Sequence, residues 1–322
     1  MASTVSLRCA QSYESAQLQA SIEDLLMPLG GMAAFVKAGD RVLLKPNLLT
    51  GGRPSKACTT DPAMIREVAA MVKDCGGKPF LGDSPAFGSA AGVARANGLL
   101  PICQDLAIPI VEFSARRYAS AGATFDHLRL SKEAMEADVL INLPKVKSHM
   151  QLTVTLAVKN LFGCVPGKMK AWWHMEAGKD RLRFGKMLVE TAATLAPDLT
   201  IIDGIVAHEG NGPSAGEPRD LGLLGASADV FALDRVFTAI LGIDPKTVPV
   251  LLAMDTLGID PCNLEEIAID GPKLEMLLCE DWRLPDTLMP IDFGMPRVIR
   301  STFRHLYVRF IQEPLAGTAG RN

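Results

Sequence analysis

Basic side chains are concentrated in one short part of the sequence. Five lysines and two histidines lie between residues 145 and 174: Lys145, Lys147, His149, Lys159, Lys168, Lys170 and His174. Ammonium groups and imidazole N–H groups bind phosphate and carboxylate oxygens well. This basic cluster predicts a site for a small anionic molecule, with Lys145, Lys147 and His174 among the ligand contacts.

Lys159 and His149 are the predicted catalytic residues. The segment 152–162 is otherwise mostly apolar, so we expect Lys159 to be partly buried. Burial lowers the pKa of a lysine and makes it a base or an amine nucleophile near neutral pH. His149 is the predicted general acid or base. Lys168 and Lys170, in contrast, are expected to be solvated.

Three acidic residues are predicted metal ligands. Asp83 and Asp203 each follow an apolar run with the composition of a strand, and Glu209 lies shortly after Asp203. Carboxylates at such positions suit a hard divalent cation such as magnesium, and Asn47 would add an amide oxygen. The alternative is that each aspartate caps the turn or helix that follows it.

Four predicted strands end in polar, loop-forming segments, at residues 45–47, 82–85, 145–149 and 203–213. In open parallel α/β sheets, ligands bind at the carboxyl ends of the strands, on the loops that follow. These segments are therefore expected to face one crevice. The further ligand contacts predicted around this crevice are Lys45, Asn47, Ser84, Asn160 and Asn211.

The order of predicted elements indicates an α/β fold. A buried strand begins at Arg41, a helix capped by Asp61 follows, and a second strand leads to Asp83. This β-α-β unit has a crossover that favours parallel pairing. Further strands are predicted at 108–113, 138–143 and 199–203, and further helices at 89–97, 185–195 and 230–241. We predict a mostly parallel sheet with helices on both faces.

One domain is predicted for the whole chain, 1–322. Its core spans about residues 40–270, and a basic, aromatic-bearing helical extension follows at about 290–322. The alternative is two lobes around a cleft that meet near residues 114–130. No repeat or low-complexity linker marks a boundary.

Composition argues against several classes of protein. The 322 residues carry a net charge of −3, which provides no electrostatic footprint for nucleic acid. The N-terminus lacks a secretory signal, and no apolar run approaches the roughly 20 residues that span a bilayer. We therefore expect a cytoplasmic protein without a membrane partner. No phosphate-binding loop, dinucleotide-binding motif or nucleophile elbow is present in the sequence, and homo-oligomerisation stays open.

The seven cysteines are scattered singly, without a C-x-x-C pair. Such spacing is typical of reduced thiols, and it fits neither a local zinc site nor an iron–sulfur cluster. We expect no iron–sulfur cluster in this chain. A divalent metal at the three acidic residues stays open.

Long stretches of the sequence resemble a known family. They are VLLKPNLL (42–49), TTDPAMIREVAAMVKDCGGKPFLGDSP (59–85), ADVLINLPKVKSHMQLTVTLAVKNLFGCVPGKMKAWWH (137–174) and IIDGIVAHEGNGPSAGEPRDLGLLGASADVFALD (201–234). In this order they are similar to domain of unknown function 362, a family also labelled as iron–sulfur centre proteins. Many members carry a ferredoxin-like cysteine run. This chain lacks that run, so the resemblance implies a branch without the cluster.

A more distant resemblance links residues 137–167 to the N-terminal domain of the nickel-pincer lactate racemases. His149 and Lys159 keep the same ten-residue separation, and Pro166-Gly167 follows. The resemblance implies that the histidine is an acid/base and that the lysine anchors a cofactor. The spacing of His174 does not fit the later nickel-binding histidine. The location of the site is therefore carried over, and the nickel cofactor is not.

Three functions follow, in order of preference. The first is an enzyme that acts on a small anionic metabolite in a cleft lined by lysine, histidine and carboxylate groups, with metal assistance as an option. The second is a non-catalytic carrier or maturation protein for an iron–sulfur cluster or ligand, which would bring exposed cysteines together. The third is a nucleic-acid protein that uses the basic cluster, and its binding would depend steeply on salt.

Overall fold

A ten-stranded sheet forms the centre of the structure, and a two-stranded sheet lies beside it. The computed structural model describes residues 3–167, 169–261, 263–291, 303 and 305–314. The strands in this part of the chain are β1 (Ser3–Cys9), β2 (Arg41–Pro46), β3 (Lys78–Gly82), β4 (Ile110–Val111), β5 (Ala115–Ala119), β6 (His127–Ser131), β7 (Val139–Leu143), β8 (Lys145–His149), β9 (Thr153–Thr155), β10 (Leu199–Glu209), β11 (Glu217–Ser227) and β12 (Ile267–Asp270).

The main sheet is mostly parallel, which confirms the predicted fold class. Its strand order is β12-β1-β11-β10-β7-β2-β3-β4. Neighbours from β10 to β4 are parallel, as are β1 and β12, whereas β11 runs antiparallel to both of its neighbours. After β7 the chain continues as β8, which pairs in parallel with the second half of β10 and antiparallel with β9. β5 and β6 form the separate small sheet.

Helices cover both faces of this sheet. Val42 and Leu44 of β2 belong to one hydrophobic cluster with residues of α1 and α2, whereas Leu43 belongs to a second cluster with residues of α8 and α9. This alternation follows from the two-residue period of a strand, since successive side chains point to opposite faces. The helices are α1 (Ser15–Leu26), α2 (Pro62–Asp74), α3 (Ala90–Ala96), α4 (Leu99–Asp105), α5 (Lys132–Met135), α6 (Ala157–Asn160), α7 (Met169–Glu176), α8 (Arg181–Leu195), α9 (Val230–Ile240), α10 (Pro249–Leu257) and α11 (Leu274–Leu277).

Two segments predicted as polar loops are strands. Residues 145–149 are β8, and most of the segment 203–213 lies within β10, which continues to Glu209. The prediction failed because it took the first buried charge as the end of each strand. Lys145 and Asp203 face each other in the register of β8 and β10, so each charge is neutralised inside the sheet.

The C-terminal extension is described in part. Residues 303 and 305–314 are helical, with a π-helical turn at Val308–Gln312, and residues 292–302 and 315–322 lie outside the described part. Among the residues that the structure describes, no helix combines the length and the apolar character needed to cross a bilayer.

Candidate functional site

Lys45 and Asp83 form a buried ion pair at the carboxyl ends of two neighbouring parallel strands. Lys45 lies near the end of β2, and Asp83 follows the last residue of β3. Lys45 Nζ is 2.9 Å from Asp83 Oδ1, and Leu48 N donates to Oδ2 at 2.9 Å. Burial opposes ionisation of Asp83, but the charges of Lys45 and Lys170 hold its pKa below the ordinary value.

A chain of buried amides lies next to this ion pair. Asn47 Nδ2 donates to Asn160 Oδ1 at 2.9 Å, and Asn160 Nδ2 donates to Asn142 Oδ1 at 2.8 Å. Lys147 Nζ donates to Asn47 Oδ1 and to Cys58 O, both at 2.8 Å. The structure thus brings together three predicted ligand contacts. It also adds Asn142, which was not predicted. The signal in the sequence is a single polar residue within the apolar run that forms β7.

Lys159 is presented by the short helix α6. Asp234 of α9 accepts hydrogen bonds from Ala157 N at 2.7 Å and Val158 N at 3.2 Å, and thereby holds the first turn of α6. Burial raises the pKa of this aspartate to about 7. Lys159 is half-buried, and its Nζ lies over the ring of Phe162 at 4.7 Å from the centroid. This role of Asp234 was not predicted, because Asp234 lies on a separate helix and no local sequence pattern links it to α6.

His149 ends β8 with its ring half-buried. Gln151 N donates to Nδ1 at 3.1 Å, so Nδ1 is an acceptor and the neutral ring carries its proton on Nε2. Burial and the charges of Lys159 and Lys147 lower the pKa of His149 well below its usual value, which keeps the ring neutral. The turn that follows contains Thr153 at φ 67°, a strained conformation for a β-branched residue.

Lys170 belongs to the site, which corrects the prediction that it is solvated. Its Nζ donates to Ser84 O, and Ser84 Oγ accepts a hydrogen bond from Gly167 N at 3.0 Å. The predicted contact Ser84 therefore joins the loop after β3 to the loop before α7. Lys168 lies outside the described residues.

Gly163 makes the approach of these loops sterically feasible. A Cβ at this position would collide with Asp83 Oδ1 and Lys45 Nζ. Its carbonyl also accepts a hydrogen bond from Ser84 N at 3.0 Å. Sequence analysis missed Gly163, although the sequence shows a glycine within an apolar run.

Three lysines of the site have lowered pKa values. Burial lowers the pKa of Lys147 and of Lys159 to about 7, and that of Lys170 to about 8. Neighbouring lysines lower each value further, whereas the Asp83 carboxylate raises all three. Positive charge therefore exceeds negative charge here. We call the following set the lysine cluster: Lys45, Asp83, Lys147, His149, Lys159 and Lys170.

A cavity of about 300 Å³ lies beside the lysine cluster. Asp83, Ser84 and Gly167 line one part of it, and His305 and Arg309 of the C-terminal helix line another. The lining carries the carboxylates of Asp83 and Glu112 beside Arg309 and His305, so the charge around this space is mixed.

His174 lies at the edge of the lysine cluster. Its Nδ1 is 2.7 Å from Lys170 O, and its ring centroid is 4.4 Å from that of Phe184. Its charge lowers the pKa of His149. The ring is thus held by an aromatic neighbour and a backbone carbonyl.

Lys145 and Asp203 form a second, separate buried ion pair. Lys145 Nζ is 2.8 Å from Asp203 Oδ2, and Tyr13 OH donates to Asp203 Oδ1 at 2.6 Å. Lys145 Nζ also donates to the Tyr13 oxygen at 2.8 Å, and Asp61 N donates to Asp203 Oδ2 at 3.0 Å. Burial and the Asp203 charge raise the pKa of Tyr13. These groups satisfy each other, so the predicted ligand contact Lys145 is a structural residue.

Glu209 and Asn211 are also held by protein groups. Glu209 accepts from Arg283 Nε at 2.7 Å and from Arg283 N at 3.1 Å. Asn211 donates to Asp286 Oδ2 at 2.7 Å and accepts from Asp286 N at 3.1 Å. Sequence analysis missed both partners because they come from a distant loop. The prediction that Asn211 contacts a ligand is not supported by this arrangement.

Each of the three predicted metal ligands contacts a cationic side chain. Asp83, Asp203 and Glu209 lie in three different ion pairs, with Lys45, Lys145 and Arg283. Within the described residues, no group of three or more His, Cys, Asp or Glu side chains is placed to hold a metal ion. The six described cysteines are free thiols, and Cys262 lies outside the described part.

A protein-family model described as "Domain of unknown function (DUF362)" matches residues 42–239. The chain belongs to this family. The family match includes every residue of the lysine cluster, and it confirms the family predicted from the sequence. The C-terminal helix lies beyond the matched residues.

Two known proteins are similar to this chain. The thylakoid-associated protein sll1697 of Synechocystis sp. is 63% identical over 316 residues, which is 98% of this chain and 98% of that protein. The structure of the lactate racemase apoprotein from Thermoanaerobacterium thermosaccharolyticum is similar with a TM-score of 0.47 and 14% identity over 69% of this chain. This chain spans 54% of that protein's length.

Proposed function

We propose that this family member is an enzyme that binds a small anionic metabolite at the lysine cluster. The observation that carries the proposal is the unbalanced charge, because Asp83 is the one carboxylate among the described residues that pairs with Lys45 and also raises the pKa values of Lys147, Lys159 and Lys170. Buried positive charge without a partner is unfavourable, and a carboxylate or phosphate ligand would relieve it. An anion held by Lys147 and Lys170 would raise the lowered pKa values of these two lysines as it binds.

Proton transfer is the proposed chemistry. With a pKa of about 7, Lys159 exists partly as a free amine near neutral pH, and its nitrogen lone pair accepts a proton from the substrate. His149 presents Nε2–H, which donates to the substrate oxygen where negative charge develops. Lys147 and Lys170 hold the anionic group. A proton removed next to a carboxylate would fit these roles.

Anion titrations test the proposal. The probes are oxalate and inorganic phosphate, measured by isothermal titration calorimetry on the full chain near neutral pH. Lys159→Met is expected to weaken binding roughly tenfold to a hundredfold, because a charge-assisted hydrogen bond contributes about 1.5–3 kcal/mol. The matched control is Lys78→Met, which removes an exposed lysine at the start of β3. Equal affinities in the two variants would contradict the proposal.

We further propose a cytoplasmic location next to a membrane surface. The support for the membrane side is the name of the relative from Synechocystis sp., which is 63% identical and described as thylakoid-associated. The support for the cytoplasmic side is the set of dispersed free cysteines, which is typical of a reducing compartment.

A further inference from the structure

The C-terminal helix exposes a stripe of large apolar side chains. Phe303 is 68% exposed and Phe310 is 67% exposed, and three further residues between and beyond them are also exposed. We call this set the outer stripe: Phe303, Leu306, Tyr307, Phe310 and Ile311. Its spacing of three and four residues is that of one helical face.

The opposite face of this helix contacts the rest of the protein. Glu313 accepts hydrogen bonds from Ser89 N at 2.8 Å and Ser89 Oγ at 2.7 Å. His305 and Arg309 line the cavity beside the lysine cluster, and Val308 lies close to Gly88. Polar and basic groups thus make most of the inward contacts.

This arrangement reverses the usual polarity of a surface helix. A helix on a globular protein normally turns its apolar stripe toward the core and its charged residues toward water. Here the stripe points outward, and burying it elsewhere would remove several hundred square ångströms of apolar surface from water, by the general scale of aromatic side chains. Contiguous exposed apolar surface of this kind marks an interaction site.

The charge of the segment indicates which surface the stripe contacts. In the sequence, residues 292–314 contain four arginines against Asp292 and Glu313, and Arg309 is the arginine that lies in the described part of the helix. Amphipathic helices with an aromatic and aliphatic face and an excess of basic residues in their sequence bind at the interface of anionic bilayers. A two-fold contact with a second copy would instead bring two arginine-rich segments together.

We propose that the C-terminal helix is a membrane-surface anchor that inserts the outer stripe into bilayers containing anionic lipid. This inference rests on the membrane-side location proposed above, and it is independent of the chemistry at the lysine cluster. It assigns lipid contact to the helix, while the globular part stays in water. Phe303, Tyr307 and Phe310 provide the rings that suit the headgroup region.

Vesicle sedimentation of the full chain tests this anchor. The vesicles contain phosphatidylcholine alone or equal parts of phosphatidylcholine and phosphatidylglycerol. We expect binding to the anionic vesicles, weaker binding to the neutral ones and a decrease with added salt. Phe303→Ser/Phe310→Ser is expected to lower the partition coefficient about tenfold or more. Met276→Ser is the control, because Met276 is 78% exposed outside this helix.

Three results would overturn the anchor: no binding to anionic vesicles, equal binding by the double variant, or an equal loss in the Met276→Ser control. Self-association of the wild type that the double variant abolishes, without vesicle binding, would assign the stripe to a second copy instead. Oxalate titration of the same samples separates the two proposals. In the wild type, oxalate binding without vesicle binding rejects the anchor alone, and vesicle binding without oxalate binding rejects the anion site alone.

Discussion

Buried lysines occur in two different electrostatic settings in this protein. Lys145 is matched, because Asp203 lies 2.8 Å away and Tyr13 accepts a further hydrogen bond. Lys147 donates to the neutral oxygens of Asn47 and Cys58, and the charged neighbours of Lys159 are mainly other lysines, so neither forms an ion pair among the described residues. A matched pair joins two strands and leaves nothing for a ligand. Lysines without an ion-pair partner are unfavourable to bury until an anion binds beside them. We therefore expect ligand binding at the lysine cluster.

Breaking the matched pair has the largest expected effect. Asp203→Ala leaves the Lys145 ammonium buried without its carboxylate, and we expect the free energy of unfolding to fall by about 3–5 kcal/mol. Urea unfolding monitored by circular dichroism measures this. The double variant Lys145→Met/Asp203→Leu removes both charges and is expected to recover most of the loss. A loss below about 1 kcal/mol in the single variant would mean that the pair is not structural.

Adding a methyl group at Gly163 is expected to have an intermediate effect, on both stability and anion binding. In Gly163→Ala the new Cβ collides with Asp83 Oδ1 and Lys45 Nζ, so the loop before α7 must shift. Overpacking of this kind reduces the free energy of unfolding by about 1–3 kcal/mol. Oxalate affinity should fall in parallel, as calorimetry would show. Gly52→Ala is the control, since a Cβ there meets only Cys58 Sγ at 3.9 Å and Gly52 is not among the glycines with positive φ.

Removing a lysine of the lysine cluster should not lower the free energy of unfolding, in contrast to the two preceding changes. Lys159→Met replaces a half-buried amine by an apolar side chain of similar length, and we expect the free energy of unfolding to stay equal or rise by up to about 1 kcal/mol. Urea unfolding near neutral pH measures it, beside Lys145→Met, which should destabilise. If both variants lose stability equally, the distinction between the two settings fails.

The pH dependence of stability is the most specific effect. The pKa values of Lys147 and Lys159 are about 7 in the folded protein, against an ordinary value of 10.5. Between these values the unfolded chain binds more protons than the folded chain, so the free energy of unfolding should increase as pH rises through this window. Thermal unfolding from about pH 7 to about pH 9 measures the increase. It should be smaller in Lys159→Met, and an identical increase would contradict the lowered pKa of Lys159.

The fold could be predicted from the sequence where hydrophobic periodicity is strong. β2, β3, β7 and α2 lie where apolar runs and the Asp61 cap placed them. β8 and the second half of β10 were missed, because their buried charges look like loop residues until their partners on another strand are known. The same limit explains Tyr13 and Asp234. Each acts on a group more than 70 residues away, and no local pattern reports such a contact.

The site could be predicted only in part for the same physical reason. Lys45, Lys147, His149 and Lys159 do gather in the lysine cluster, and the reason is visible in the sequence as basic residues after or within apolar strands. The carboxylates were assigned to a metal because their cationic partners were not known. In the fold, ion pairing decides the role of each acidic residue.

Proton uptake on anion binding is the most direct test of the unmatched lysines. Oxalate titrations at about pH 8, in buffers of different ionisation enthalpy, measure the number of protons taken up with the ligand. We expect an uptake approaching about one proton in the wild type, because an anion raises the lowered pKa values of Lys147, Lys159 and Lys170. The uptake should fall in Lys159→Met and persist in Lys78→Met. Oxalate binding without proton uptake in the wild type would contradict an unmatched lysine cluster.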